Sequence, residues 1–363
     1  MSSPDRIGDL IGERYEIKRS IGEGGMQYVY EAHDNLVKRK VALKTPKNKS
    51  AEKRFNRSAI VAAKVNHPNV AKTLDYIEEN GDLYLIEELV VGENLDDALL
   101  KRTNFLDPYS AAKVFHHLAK GVAAAHHAGV VHRDLKPTNV MIVGGYSLNE
   151  LKITDFGIAK MADAELAEAV EGGNDSMTAS QTLVGALPYM APEAIDSPRN
   201  VQYPADIWSV GAMMFQLISG ELPYGQGLSA VRKIQDAEKP IPPNFLTSNS
   251  QFSPLTNHIL EIIYTCLQRR PELRPSADEL VHKCGDLCYT HSPRKSGVVK
   301  KIFYNGANGF IETDGEDVFF HSSAVYGLSR IAIGDRVIFA SYDGTPRKRA
   351  FPVLIEKTFK AKT

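Results

Sequence analysis

Cysteine is scarce in this chain of 363 residues: Cys266, Cys284 and Cys288 are its only three. So few, and all late in the chain, exclude a disulfide framework. Cys284 and Cys288 stand four apart in a helical stretch, a spacing open to a metal-ligand pair. With no second pair nearby, plain core or surface cysteines are the expectation. Also missing is an apolar run of the ~20 residues that a membrane-spanning helix needs. The opening "MSSPDRIGDL" has no signal-peptide pattern. A soluble, cytoplasmic protein with no membrane partner is therefore expected. Nor is there an excess of charge of one sign, since 43 basic residues face 44 acidic ones. The 43% of hydrophobic residues suffices for globular cores, and the length suggests two or three domains.

The overall balance hides a division. From Arg294 onward there are 12 basic residues against 7 acidic ones, whereas the preceding chain has 31 against 37. Such asymmetry points to a separate C-terminal module with an anionic partner. The polar stretch "YTHSPRKSG" reads as the linker. Before it, "YEIKRSIGEGGMQYVYEAH" and "KVALKT" read as strands around a glycine turn. "SAEKRFNRSAIVAAKV", "DPYSAAKVFHHLAKGVAAAHHAG" and "PADIWSVGAMMFQLISG" read as helices, with stops at Gly129 and Gly220. This is a small β lobe followed by a larger α lobe.

Several short stretches carry chemistry. "IGEGGMQYV" places Gly22, Gly24 and Gly25 between two strands, where backbone N–H groups can approach a phosphate. Lys44 sits inside the apolar strand "VALK". "VVHRDLKPTNVMI" sets Asp134, Lys136 and Asn139 in one loop between apolar runs, and "KITDFGIAK" adds Asp155 after a strand. Groups of this kind at strand–loop junctions can hold Mg²⁺ on a nucleotide and orient a hydroxyl. The strand "LYLIEELVV" poses its own question, because its neighbours Glu87 and Glu88 must point to opposite faces. The inward one needs a cation.

In this order the segments "GEGGMQYV", "VALK", "HRDLKPTN", "DFG", "MAPE", "DIWSVG" and "RP" resemble the eukaryotic-type (Hanks-type) serine/threonine protein kinases, from about Tyr15 to Tyr289. The resemblance implies an α+β, bilobal kinase fold with 15–91 as N-lobe and 92–290 as C-lobe, after an extension over 1–14. It implies ATP and Mg²⁺, with Mn²⁺ as an alternative metal, and protein substrates. Lys44 would contact the α/β-phosphates, and Gly22, Gly24, Gly25, Val29, Ala42, Glu87, Glu88, Leu89 and Met141 would line the nucleotide site. Asp134 would take or orient the proton of the substrate hydroxyl, Lys136 would stabilise the moving phosphoryl group, and Asn139 and Asp155 would hold metal. Glu193 and Arg274 would form a structural ion pair, and Asp206 would brace the catalytic loop. Arg133 would meet a phosphate in the activation loop, on Thr182 first and Thr178 or Ser180 second.

Departures from the pattern are informative. The helix glutamate that pairs with the strand lysine in the family falls on Ser58. Glu87 falls at the gatekeeper, beside the strand of Lys44, and is a candidate replacement. The alternative is a partly solvated Glu87, with Lys44 paired to Asp155 alone. The third glycine of the loop is Gln27, and the threonine expected before "LPYMAPE" is Ala186. These losses keep a rival reading alive, a pseudokinase scaffold that signals through its C-terminal module.

That module, with a linker at 291–296, the domain at 297–357 and a tail at 358–363, resembles a cold-shock domain. Such a domain is a small all-β, five-stranded OB-type barrel that binds single-stranded RNA or DNA. The resemblance rests on "GFI", "EDVFFHSSAV" and "IGDRVIF". It implies base stacking on Phe310, Phe319 and His321 within a basic surface that includes Lys300. Lys301, Asn308 and Ser322 stand where aromatics are usual, so the surface is depleted. Phe303 and Tyr304 compensate only if the register shifts.

Overall fold

The computed structural model describes residues 6–23, 27–47, 55, 59–156, 185–197, 201–304, 306–327 and 330–357. Six antiparallel strands form the first sheet: β1 (Leu10–Ile11), β2 (Tyr15–Glu23), β3 (Gln27–Asp34), β4 (Arg39–Pro46), β5 (Thr73–Glu79) and β6 (Asp82–Glu88), in the order β1-β2-β3-β4-β6-β5. Strand alternation gives the sheet two apolar faces. Tyr15, Ile17, Tyr30, Val41, Leu43, Tyr84 and Ile86 bury one face, while Leu83 and Leu85 pack against Phe55 and Ala59 on the other. Phe55 and residues 59–62 are helical, as the sequence pattern predicts. Ala42, Lys44 and Glu87 lie on this second face by the period of two.

A small sheet of β7 (Glu93–Asn94), β8 (Val140–Val143) and β9 (Glu150–Ile153) floors the cleft. Below it lie α1 (Pro108–His127), α2 (Tyr203–Ser219), α3 (Leu228–Asp236), α4 (Ser253–Cys266) and α5 (Ala277–Gly285). Asp107 caps α1 by accepting from the N–H groups of Tyr109 and Ser110, and Pro108 fills the first turn. α2 is apolar nearly all round and is accordingly buried, with Trp208 and Phe215 at its centre. Gly220 ends it at φ 77°, a left-handed conformation that favours glycine.

The C-terminal unit is a closed barrel of β10 (Arg294–Ile302), β11 (Asn308–Thr313), β12 (Glu316–His321), β13 (Arg336–Tyr342) and β14 (Arg349–Ile355), in the order β10-β11-β12-β14-β13. Val299, Ile311, Val318, Phe320, Val337, Phe339 and Val353 fill it. Two expectations change here. The first strand already begins at Arg294, which pairs with Ala340, so the linker is shorter than 291–296. Nor is the barrel separate. Tyr326 and Leu354 belong to the buried cluster of the helical lobe, and Phe351 stacks on Phe252 with ring centres 5.3 Å apart. The signal was a polar linker sequence, but the two bodies touch through side chains far from it.

Shared packing has a measurable consequence. Leu354→Ala should cost about 2–5 kcal/mol. It should lower a single unfolding transition seen alike by calorimetry and by Trp208 fluorescence. Two separate transitions, with only the barrel's shifted, would contradict a common core.

Candidate active site

The cleft between the lobes encloses about 1530 Å³, lined among others by Gly22, Gln27, Val29, Ala42, Lys44, Glu87, Glu88, Leu89, Asp134, Lys136, Asn139, Met141 and Asp155. Of the sequence-predicted residues, Gly24, Gly25, Ser58, Thr178, Ser180 and Thr182 lie outside the described residues.

At the back of the cleft β4 and β6 pair with Ala42 opposite Glu87 and Lys44 opposite Leu85. Lys44 and Glu87 are thus diagonal neighbours on one face, within reach of a long side chain. Ala42 leaves the room between them. The Lys44 ammonium meets Glu87 Oε2 at 2.5 Å and Asp155 Oδ1 at 2.8 Å. Burial opposes the lysine's charge, but Asp155 and then Glu87 outweigh it and hold its pKa above the usual lysine value. For Glu87 burial wins over Lys44, so its pKa is raised. Burial of Asp155 is outweighed by Lys44 and by a hydrogen bond from Gln27, so its pKa is lowered and it keeps its charge. Glu88 faces the other way and accepts from Lys152 at 2.7 Å. The paired glutamates therefore have one lysine each.

The loop after α1 is built around Asp206, which is buried at the start of α2. Its carboxylate accepts the backbone N–H groups of His132 and Arg133 at 2.8 Å each and also meets His126 Nε2 at 2.9 Å. Arg133 sits at φ 69° and Asp155 at φ 63°. Such left-handed non-glycine positions, costing of order 1–3 kcal/mol each, persist where the surroundings over-determine them. Asp134 Oδ2 receives both Lys136 Nζ at 2.9 Å and Asn139 Nδ2 at 3.0 Å. Asp134 is held in this way with Ala186 in place of the usual threonine. Arg133 reaches the Val201 carbonyl at 3.1 Å. Lower in the lobe, Arg274 makes two bonds to Glu193, at 2.6 and 2.8 Å.

The protein kinase domain family matches residues 15–284. The chain belongs to that family. It is 33% identical over 282 residues to "Serine/threonine-protein kinase PknA" of Mycobacterium tuberculosis, a match covering 74% of this chain and 60% of the relative. It is 30% identical over 290 residues to "Probable serine/threonine-protein kinase PknB" of Corynebacterium glutamicum, covering 77% and 43%. The chain thus spans less than two thirds of the length of these kinases. No helix among the described residues is long and apolar enough to cross a membrane.

For a kinase-family site, the oxygens present suit a hard divalent cation. Asn139 spends its nitrogen on Asp134, which leaves its carboxamide oxygen as an acceptor, and Asp155 lines the same cleft. Among the described residues no three His, Cys, Asp or Glu side chains cluster around a metal position. Two protein oxygens completed by phosphates and water are what magnesium commonly takes. Cys284 is buried and Cys288 exposed, and neither is in a disulfide.

Two contacts were not anticipated. Gln27 Nε2 donates to Asp155 Oδ1 at 2.9 Å, so the residue in the third glycine's place reaches across the cleft. Its spacing of two from Val29 on β3 was the available signal. Lys152, the anchor of Glu88, stands between buried Leu151 and Ile153, a strand lysine as telling as Lys44.

The Lys44–Glu87 pair gives a direct prediction. Glu87→Gln should weaken ATP use by about 1–3 kcal/mol, the worth of a charge-assisted hydrogen bond. Ser58→Ala should leave it unchanged, and Ser58→Glu in the Glu87→Gln background should recover part of the loss. Steady-state kinetics in ATP checks all three. A fully active Glu87→Gln enzyme would end the case for the replacement.

Proposed function

We propose that the chain is an ATP-dependent serine/threonine protein kinase, which would take nucleotide in the cleft and hold Mg²⁺ through Asn139 and Asp155. The observation that carries this is the convergence of Lys44, Asp134, Lys136, Asn139 and Asp155 on one cleft. The metal, when bound, neutralises phosphate charge. Lys44, fixed by two carboxylates, presents its ammonium to the α/β-phosphates. Asp134, held at Oδ2 by Lys136 and Asn139, orients the substrate hydroxyl and takes its proton. Lys136 is placed to balance charge on the moving phosphoryl group. Arg133 and the hydroxyls of the 157–184 stretch, Thr182 first and Thr178 or Ser180 second, are the proposed switch.

The test is transfer of radiolabel from ATP with Mg²⁺ or Mn²⁺, to the chain itself and to a generic protein. Asp134→Asn should abolish incorporation and leave nucleotide binding in place. No incorporation by the wild type with any divalent metal would favour the scaffold reading.

We further propose that the barrel binds single-stranded RNA or DNA through an aromatic row. A bulge interrupts the β10–β11 pairing between Val299 and Lys301. Phe303 lies 5.6 Å from Phe310, and Phe310 lies 6.0 Å from Phe319. Period-two alternation puts Phe310, Phe319 and His321 on the outer face. Arg347 lies over the Phe310 ring at 5.3 Å, and Tyr304 is fully exposed. Lys300 contributes less than expected, because Asp317 and Glu312 engage it. Phe319→Ala should weaken binding of a labelled oligonucleotide by about 1–3 kcal/mol, the worth of one stacked base. Affinity should fall steeply with salt. Anisotropy with the full chain at low salt reads both, and no binding would assign the row to a protein partner.

A further inference from the structure

Three separate parts of the barrel converge on one short segment of the helical lobe, residues 102–110. That segment joins the helical turns at the cleft's lip, Asp96–Leu100 and Lys101–Thr103, to α1. From the start of β10, Arg294 Nη2 meets both carboxylate oxygens of Asp107 at 3.0 Å and Ser110 Oγ at 2.9 Å. Both charged side chains are almost wholly buried, at 4% and 0% exposure. After β14, the Lys357 N–H donates to the Arg102 carbonyl at 2.8 Å, and its ammonium donates to the Leu100 carbonyl at 3.2 Å. Between them Tyr326 packs edge-on against Phe105, with ring centres 5.7 Å apart. Gly327 lies so close that a Cβ there would stand 2.6 Å from the Phe105 ring.

The gripped segment leads to the catalytic loop. Asp107 caps α1, and α1 runs its 20 residues to His126 and His127, about 30 Å at 1.5 Å per residue. His126 holds Asp206, and Asp206 holds the backbone of His132 and Arg133. A buried arginine–carboxylate pair at one end of a rigid helix therefore connects, through that helix, to the group that fixes the loop at the other. A tethered reader of nucleic acid needs none of this. Its linker would suffice, and its aromatic row, which uses neither Tyr326 nor Arg294, would stay open.

We propose that the barrel is a built-in clamp on residues 102–110, and that Arg294 is a positioning residue which, through α1, sets the catalytic loop. The proposal rests on the kinase reading for its activity readout and is independent of it for its structural readout. Two full-length variants test it. Gly327→Leu drives a side chain against Phe105 and changes no residue of the kinase lobes themselves. Arg294→Ala removes the pair, with Arg294→Lys as the conservative control.

Amide hydrogen exchange should rise at 102–110 and also at 132–139 in Gly327→Leu and Arg294→Ala, with cooperative unfolding retained. The kcat for phosphoryl transfer should fall roughly 2- to 30-fold, the range of substitutions along a coupled path, while KM for ATP stays as in the wild type. Arg294→Lys should recover part of the kcat. Faster exchange at 102–110 with unchanged exchange at 132–139 and unchanged kcat would make the barrel a passenger and overturn the proposal. Unchanged exchange at 102–110 in both variants would overturn it as well. If the wild type transfers no phosphate, the kinase reading fails, and the exchange data still decide whether the clamp reaches the loop.

Discussion

The cleft depends on one buried ammonium. Lys44 has almost no solvent of its own, and a lone charge in that position would lose its proton. Two carboxylates prevent this, Glu87 from the strand sheet and Asp155 from the far side of the cleft. The lysine is thus also a tie between lobes, with Gln27 adding a second strand-borne contact to Asp155. Removing either acid would leave a buried charge half compensated, which is costlier than never having built the pair. Glu87 lies on a strand hydrogen-bonded to the strand of Lys44 itself. Its partnership with the lysine therefore needs no helix to swing into place, in contrast to kinases whose lysine waits for an acid on a movable helix.

Much of this was legible because it is chemistry at short range. The strand period put one of Glu87 and Glu88 inside, and the burial pattern of β6 gives that place to Glu87. The motif loops named Asp134, Lys136, Asn139 and Asp155, and the structure brings them to one cleft. What the sequence left open was which cation each acid would meet. Glu87's answer turned on strand pairing, with small Ala42 opposite. Glu88's turned on Lys152, more than sixty residues away. Gln27 was read as a lost glycine. Its place two before Val29 set it on the cleft face of β3, but its reach to Asp155 follows only from the depth of the cleft.

The barrel was legible as a barrel for the same reason, since alternation in "GFIET" and "EDVFFH" marks inner and outer faces. Its docking was not. The residues that receive it, Phe105, Tyr109, Phe245 and Phe252, are scattered over two distant stretches of the kinase-family region. Taken singly, each reads as ordinary lobe core. Tyr326, Phe351 and Leu354 likewise read as barrel interior. Only the fold shows that these rings belong to one continuous layer, with Tyr326 meeting Phe105, Phe245 and Phe252 at 5.0–5.7 Å.

That layer bears on how the two units of the chain relate. An interface built from scattered polar contacts would permit the barrel to leave and return, as domains of one chain commonly do. Here aromatic rings form the middle of the contact, its charged pair is buried, and each end of the barrel's strand path is tied to the same lobe. Undocking would expose several aromatic rings, so the docked arrangement is the one that the chain's own apolar burial favours. The outer aromatic row of β11 and β12 uses none of the docking residues. A ligand could therefore occupy the row without displacing the barrel, and any influence on catalysis would have to pass through the gripped segment rather than through release of a tether.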